Sequence, residues 1–149
     1  MFGKIWVAVD GSTASEAALN YAVNLARQGN ATLTGVFVVD GGWPDFIGND
    51  WQSAKGARQG FLDYIHREQE EQALAAQRQF EEAAIGLENA HFKVLAGDPT
   101  DTLVSLATQE ETGLLVTSKR VFQVSGRPSL KSLAKTLAQK ASRPLLLLP

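Results

Sequence analysis

Apolar and polar positions along this chain fall into blocks of two different periods. Ile5–Val9 is a continuous apolar run, rich in β-branched residues, that stops abruptly at Asp10-Gly11. A strand with one wet face would alternate, so an uninterrupted run predicts a strand covered on both sides, as inside a parallel sheet. Comparable runs predict strands at Thr32–Val39, Leu114–Thr117 and Leu145–Leu148, and the mixed pattern of Ala90–Ala96 predicts a sheet edge. Between these runs the period becomes helical. Ala14, Ala17, Ala18, Tyr21, Ala22 and Leu25 follow the first strand, and Leu103, Val104, Leu106 and Ala107 follow the third. Leu130, Leu133, Ala134, Leu137, Ala138 and Ala141 make the cleanest stripe, across Ser129–Ala141.

Punctuation agrees with the periods. Thr13 and Glu16 fit a capping box at the first helix start, and Gly29 or Asn30 can close that helix. Asp98, Pro99 and Asp101 mark a second start, with Asp98 as N-cap and Pro99 in the first helical position. Trp51–Leu87 is long, polar and helix-favouring, although Gly56 and Gly60 weaken its first turns. Its Arg67–Gln72 block carries no apolar residue and reads as a solvated face. Asp40–Asp50 reads as a loop of turn residues that nonetheless carries Trp43, Phe46 and Ile47. Those side chains pack on the sheet's rim, cover a cleft, or face a partner.

Five strands alternating with four helices imply right-handed crossovers and an α/β, Rossmann-like fold, a doubly wound parallel sheet with helices on both faces. In such sheets ligands bind beyond the carboxyl ends of the strands, where Asp10, Gly11 and Ser12 would lie. Asp10 is open to two readings, a ligand contact or an acceptor for local backbone donors in the turn.

The 149 residues are expected to form a single domain, residues 1–149, large enough for a core without staples. A formal charge of -2 gives no general attraction to nucleic acid or to acidic membranes. Without cysteine there is neither a disulfide framework nor a thiolate site. Asp10 interrupts the first apolar run well short of a signal sequence, and the leucines near the end are too few to span a bilayer. A cytoplasmic protein is expected.

Catalytic constellations are sparse. His66 sits in the polar helix and His91 at the start of an edge strand, neither with a partner at ligand spacing, so no metal site is expected. A Ser-His-Asp triad would need one of those histidines near Ser12, Ser118 or Ser132 at the sheet's carboxyl end, whereas His91 is expected at the opposite end of its strand. Neither the G-x-G-x-x-G fingerprint nor a Walker A pattern occurs. The expectation is a protein that is not an enzyme.

The ordered set V-A-V-D-G-S at the first strand's end, V-F-V-V at the second, G-D-P before the third helix and R-P-L-L-L-L-P near the carboxyl end resembles the universal stress protein family over essentially the whole chain. The resemblance implies a sheet of order 3-2-1-4-5 with the switch point between the first and fourth strands. It also implies a homodimer, often formed through the last strand. In the family's nucleotide-binding branch a G-x-x-G, nine residues and G-[S/T] follow the fourth strand, so that backbone N–H groups approach phosphate.

Here that loop is degenerate. Its glycine positions fall on Thr117 or Ser118 and on Arg120 or a neighbour, and the G-[S/T] pair falls on Lys131-Ser132. Gly126 is the one glycine left in it. Lys119, Arg120, Arg127 and Lys131 place four cations in the same segment, able to hold an anion by charge without a backbone cradle. Three readings follow. The cations are ordinary surface charges and the protein is a regulator or adaptor; or ATP binds family-fashion near Asp10, Val39, Gly126 and Ser132; or another anionic ligand binds.

Leu145, Leu146, Leu147 and Leu148 put large apolar side chains on both faces of an edge strand, protected only by Pro144 and Pro149 at its ends. Pairing with the same strand of a second copy would satisfy both its side chains and its backbone. Cover from Trp43 and Phe46 or from the long polar helix is the alternative within one chain.

Overall fold

A computed structural model describes residues 2–51, 56–123, 126–128 and 132–149. In chain order the elements are β1 (Lys4–Ala8), α1 (Thr13–Gly29), β2 (Thr32–Asp40), α2 (Trp43–Ile47), α3 (Ala57–Ala83), β3 (Ala90–Gly97), α4 (Pro99–Leu106), β4 (Leu114–Ser118), α5 (Leu133–Lys140) and β5 (Leu145–Leu148). The strands form one all-parallel, doubly wound sheet, as block-wise apolarity predicts, in the order β3-β2-β1-β4-β5 that the resemblance implies.

The core follows from the uninterrupted runs. Ile5, Val7 and Ala8 in β1 with Val9 just after it, Leu33, Val36, Phe37 and Val38 in β2, and Leu115 and Val116 in β4 are all essentially inaccessible. Helices α1 and α3 cover one face of the sheet, with Leu19, Ala22, Ala26, Ala76 and Phe80 turned inward. Helices α4 and α5 lie together on the other face through Leu103, Leu106, Ala107 and Leu137. Gly35 lets α3 settle on β2, because a Cβ there would lie 2.4 Å from the Phe80 ring.

Three local details differ from expectation. Ser12, not Thr13, caps α1, accepting from the Ser15 N–H at 3.4 Å, because Asp10 Oδ1 fixes Ser12 through both its N–H and its hydroxyl. The expected loop Asp40–Asp50 contains the short helix α2, which has Pro44 in its first turn and no side-chain cap. Its aromatics pack on the start of α3: Trp43 meets Phe46 and Phe61 edge-on, and Trp51 stacks on Phe61. Finally, α5 begins at Leu133 behind the N-cap Ser132 rather than at Ser129, which lies with Leu130 and Lys131 outside the described residues.

Helix α3 outruns the sheet. The Gln69 amide donates to Asp40 O at the end of β2, so residues 57–68 extend about 18 Å beyond the strands' carboxyl ends. No residue of that stretch is fully buried.

Candidate functional site

The turn after β1 is built by four side chains. Asp10 Oδ1 accepts from the Ser12 N–H at 3.0 Å and from the Ser12 hydroxyl. Gln79 on α3 locks the same turn from outside. Its Oε1 accepts from Gly11 N–H at 3.2 Å and from the Ser15 hydroxyl at 2.6 Å, while its Nε2 donates to Ser12 O at 2.9 Å.

The other Asp10 oxygen crosses the switch point. Asp10 Oδ2 accepts from the Phe122 N–H at 2.9 Å, tying the loop after β4 across the crevice to β1. Phe122 holds φ at +64°, left-handed backbone that a bulky side chain adopts only when its surroundings repay the strain. Its ring is 5% exposed and meets Phe37 edge-on, with centroids 5.7 Å apart. Thus a phenylalanine stands in a loop where the nucleotide-binding pattern calls for glycine, and it is turned into the protein.

Beyond Phe122 the loop is held by a partly buried ion cluster around Asp40. Arg127 Nε donates to both Asp40 oxygens, at 2.8 and 2.9 Å, its backbone N–H donates to Asp40 Oδ2 at 2.8 Å, and its Nη2 donates to Asp98 Oδ2 at 2.9 Å. The Asp40 side chain is 2% exposed and that of Arg127 25%. The hydrogen bond it donates to Asp40 raises the Arg127 pKa above the usual guanidinium range, against the opposing pull of burial. Gly42 lies beneath this cluster, and a Cβ there would lie 2.4 Å from the Arg127 Cζ and displace the guanidinium.

The residues proposed from sequence therefore divide. Asp10 and Val39 lie at the carboxyl ends of β1 and β2, with Asp10 fully engaged by protein donors. Gly126 lies between Asp40 and Pro99, and its N–H is given to Phe122 O at 3.0 Å. Ser132 caps α5, its Oγ accepting from Lys135 N–H at 3.2 Å. Of the four expected cations, the three that are described do not converge. Arg127 turns to the β2 and β3 ends, whereas Lys119 and Arg120 are exposed beside β5, where Lys119 N–H bonds Leu148 O. Lys131 lies outside the described residues.

Asp40 and Phe122 were missed by sequence reasoning. Asp40 closes a buried strand rather than opening a loop, and the signal for it is an acid at the end of an apolar run, a partner for one of the loop's cations. Among the described residues no cluster of three metal-ligating side chains occurs. His66 pairs only with Glu70, at 2.8 Å and largely in solvent, and His91 is exposed.

A nucleotide phosphate needs free backbone donors and open space at the switch point. Here Asp10, the Phe122 N–H and the Gly126 N–H are committed to one another's segments, and the Phe122 ring is buried against Phe37. Among the described residues, these donors are therefore not free to meet a phosphate.

Comparison with known proteins places the fold. The family model described as the universal stress protein family matches residues 1–149, and the chain belongs to that family. A universal stress protein of Methanocaldococcus jannaschii is 25% identical over 146 residues, covering 98% of this chain and 81% of the relative. Among solved structures, UspA from Lactobacillus plantarum superimposes with a TM-score of 0.71 at 24% identity, covering 99% of this chain and 98% of the other. A universal stress protein from Archaeoglobus fulgidus in complex with dAMP gives 0.62 at 22% identity over the whole of both chains. No helix among the described residues is long and apolar enough to cross a membrane.

Proposed function

We propose that this universal stress protein is a single-domain cytoplasmic regulator or adaptor that acts by association rather than by turnover. One observation carries the reading: the groups at its switch point bind one another. Asp10 accepts from Phe122 N–H, and Arg127, the best-placed cation for an anionic ligand, is satisfied by Asp40 and Asp98. What remains outward is surface. Leu145–Leu148 form an edge strand with all four side chains half-buried. The aromatics of α2 and the long α3 lie toward β2 and β3 and leave that edge uncovered among the described residues. A two-fold homodimer through β5 follows, in keeping with the family resemblance.

Calorimetric titration with ATP-Mg tests the switch-point half of this reading. No heat and no thermal shift are expected at millimolar nucleotide. A hydrolase or transferase activity of the purified protein, lost in Asp10→Ala, would overturn the regulator reading.

The dAMP complex of the Archaeoglobus fulgidus relative supports a second reading, nucleotide binding near Asp10, Val39, Gly126 and Ser132. It requires Phe122 to leave Phe37. Phe122→Gly keeps the left-handed backbone without strain and removes the ring. A thermal shift with ATP-Mg in Phe122→Gly and none in the wild type would identify the ring as the obstruction.

A further inference from the structure

The sheet's other edge is longer and differently made. β3 has eight residues, and its side chains alternate between the two faces. Leu33 N–H bonds Asn89 O, so the residues in step with Asn89 (His91, Lys93 and Leu95) turn their backbone groups toward β2. Ala90, Phe92, Val94 and Ala96 therefore present N–H and C=O outward. Among the described residues no backbone bond outside the ladder reaches these four. Lys93, the residue best placed to blunt the edge, is drawn inward, its Nζ 5.4 Å from the Trp6 ring centroid.

Beside the upper half of this edge runs a groove of about 360 Å³, floored by Leu95 and Gly97 and walled by α4. Leu103, Leu106 and Ala107 face the sheet, so the α4 flank with Asp101, Thr102 and Ser105, and Gln109 just beyond the helix, turn outward to the groove. Its only charged lining groups are Asp98 and Asp101. Asp98 is held by Arg127, which leaves Asp101 as the carboxylate without a cationic partner among the described residues. On the opposite face the outward row exposes Val94, 51% accessible, next to half-buried Phe92.

We propose that the β3 edge and this groove take an extended peptide segment of a partner protein, one that alternates β-branched apolar residues with lysine or arginine, as a sixth strand. Backbone pairing supplies the affinity of such strand addition and the alternate side chains supply its selectivity. The apolar residues lie over Phe92 and Val94. The basic residues lay their stems on Leu95 and Leu106 and carry their charge to Asp101. The charge of the groove decides the sign of the partner: a glutamate in that position would face Asp101.

The test uses the intact protein and a blocked synthetic peptide of about eight residues alternating valine and lysine, matched to β3 in length. Binding should shift the amide resonances of Phe92, Val94 and Ala96 and slow their hydrogen exchange. Asp101→Lys should weaken it about fivefold or more, and a valine–glutamate peptide should not bind. Val94→Pro removes an outward donor and leaves the β2 ladder intact, so it should abolish binding without unfolding the sheet. Should Val94→Pro unfold, Asp101→Lys, an exposed change, still decides. Absence of binding at millimolar peptide, or perturbations on β5 instead, overturns the proposal. So does a wild-type dimer dispersed by Val94→Pro, which would give this edge to a second copy.

Discussion

The two edges of this sheet meet the same hazard, unpaired backbone in solvent, with different means. β5 is four leucines between Pro144 and Pro149, apolar on both faces and too short to pair far. β3 is twice as long, carries no proline, and has a polar-walled groove beside it with a free carboxylate. A short, two-sided apolar edge is completed by an identical edge, since symmetry supplies matching leucines. A long edge with a groove of one sign is completed by something unlike itself. The pairing chemistry is common to both; side chains decide between self and partner.

That contrast can be broken at several points. The largest effect is expected at β5. Leu146→Lys and Leu147→Lys place charge on opposite faces, and at least one should convert a sedimenting dimer to monomer at tens of micromolar. A wild-type monomer at that concentration removes the β5 half of the comparison. Next is the ion cluster that closes the top of the sheet. Arg127→Met takes the cation from the Asp40 carboxylate but leaves it the Gly42 and Arg127 N–H donors, and should cost about 2–3 kcal/mol, a fall of roughly 8 °C in Tm. Its pH dependence is equally specific. Because the Arg127 pKa is raised, the contribution is complete below the unfolded guanidinium value and is lost only as pH climbs through the folded one. Thermal scans from mildly acidic to mildly alkaline pH should therefore show the wild type and Arg127→Met separated by a nearly constant gap.

Gly35→Ala pushes a methyl into the Phe80 ring and should cost about 1–3 kcal/mol by overpacking between β2 and α3. An unchanged Tm would mean that α3 shifts freely on the sheet. The smallest effect is at β3. Val94→Lys lies on a surface already half in water and should change stability by less than about 0.5 kcal/mol and sedimentation not at all. This variant separates the edges cleanly, since the same lysine at β5 should dissolve the dimer.

Much of the fold was legible because its strands are buried on both faces, which writes unbroken apolar runs into the sequence. Asp98-Pro99-Asp101 was legible too, since its cap is local: Asp98 Oδ1 accepts from Asp101 N–H at 2.9 Å. Helix α2 was not. Five residues with no side-chain cap carry little local signal, and its reason lies in Phe61 of another helix. Choosing Ser12 over Thr13 as the cap likewise depended on Asp10, which the capping pattern does not consult. At the switch point the sequence placed Asp10 correctly on the strand end and marked the loop as degenerate. It could not tell that the loop's arginine meets an anion belonging to the chain itself, because Asp40 and Arg127 are 87 residues apart.

That separation has a consequence in time. The Asp40–Arg127–Asp98 contacts join segments 87 and 29 residues apart, and three crossovers must be in place before they can form. Such contacts are expected to form late, after the transition state has assembled the central strands. Losing them should then act on escape from the native state rather than on arrival. For Arg127→Met the unfolding limb of a chevron should rise roughly a hundredfold, with the refolding limb unmoved. A slowed refolding limb would place the cluster in the folding nucleus instead. On this account Asp40, Asp98 and Arg127 set how long the protein lasts once folded.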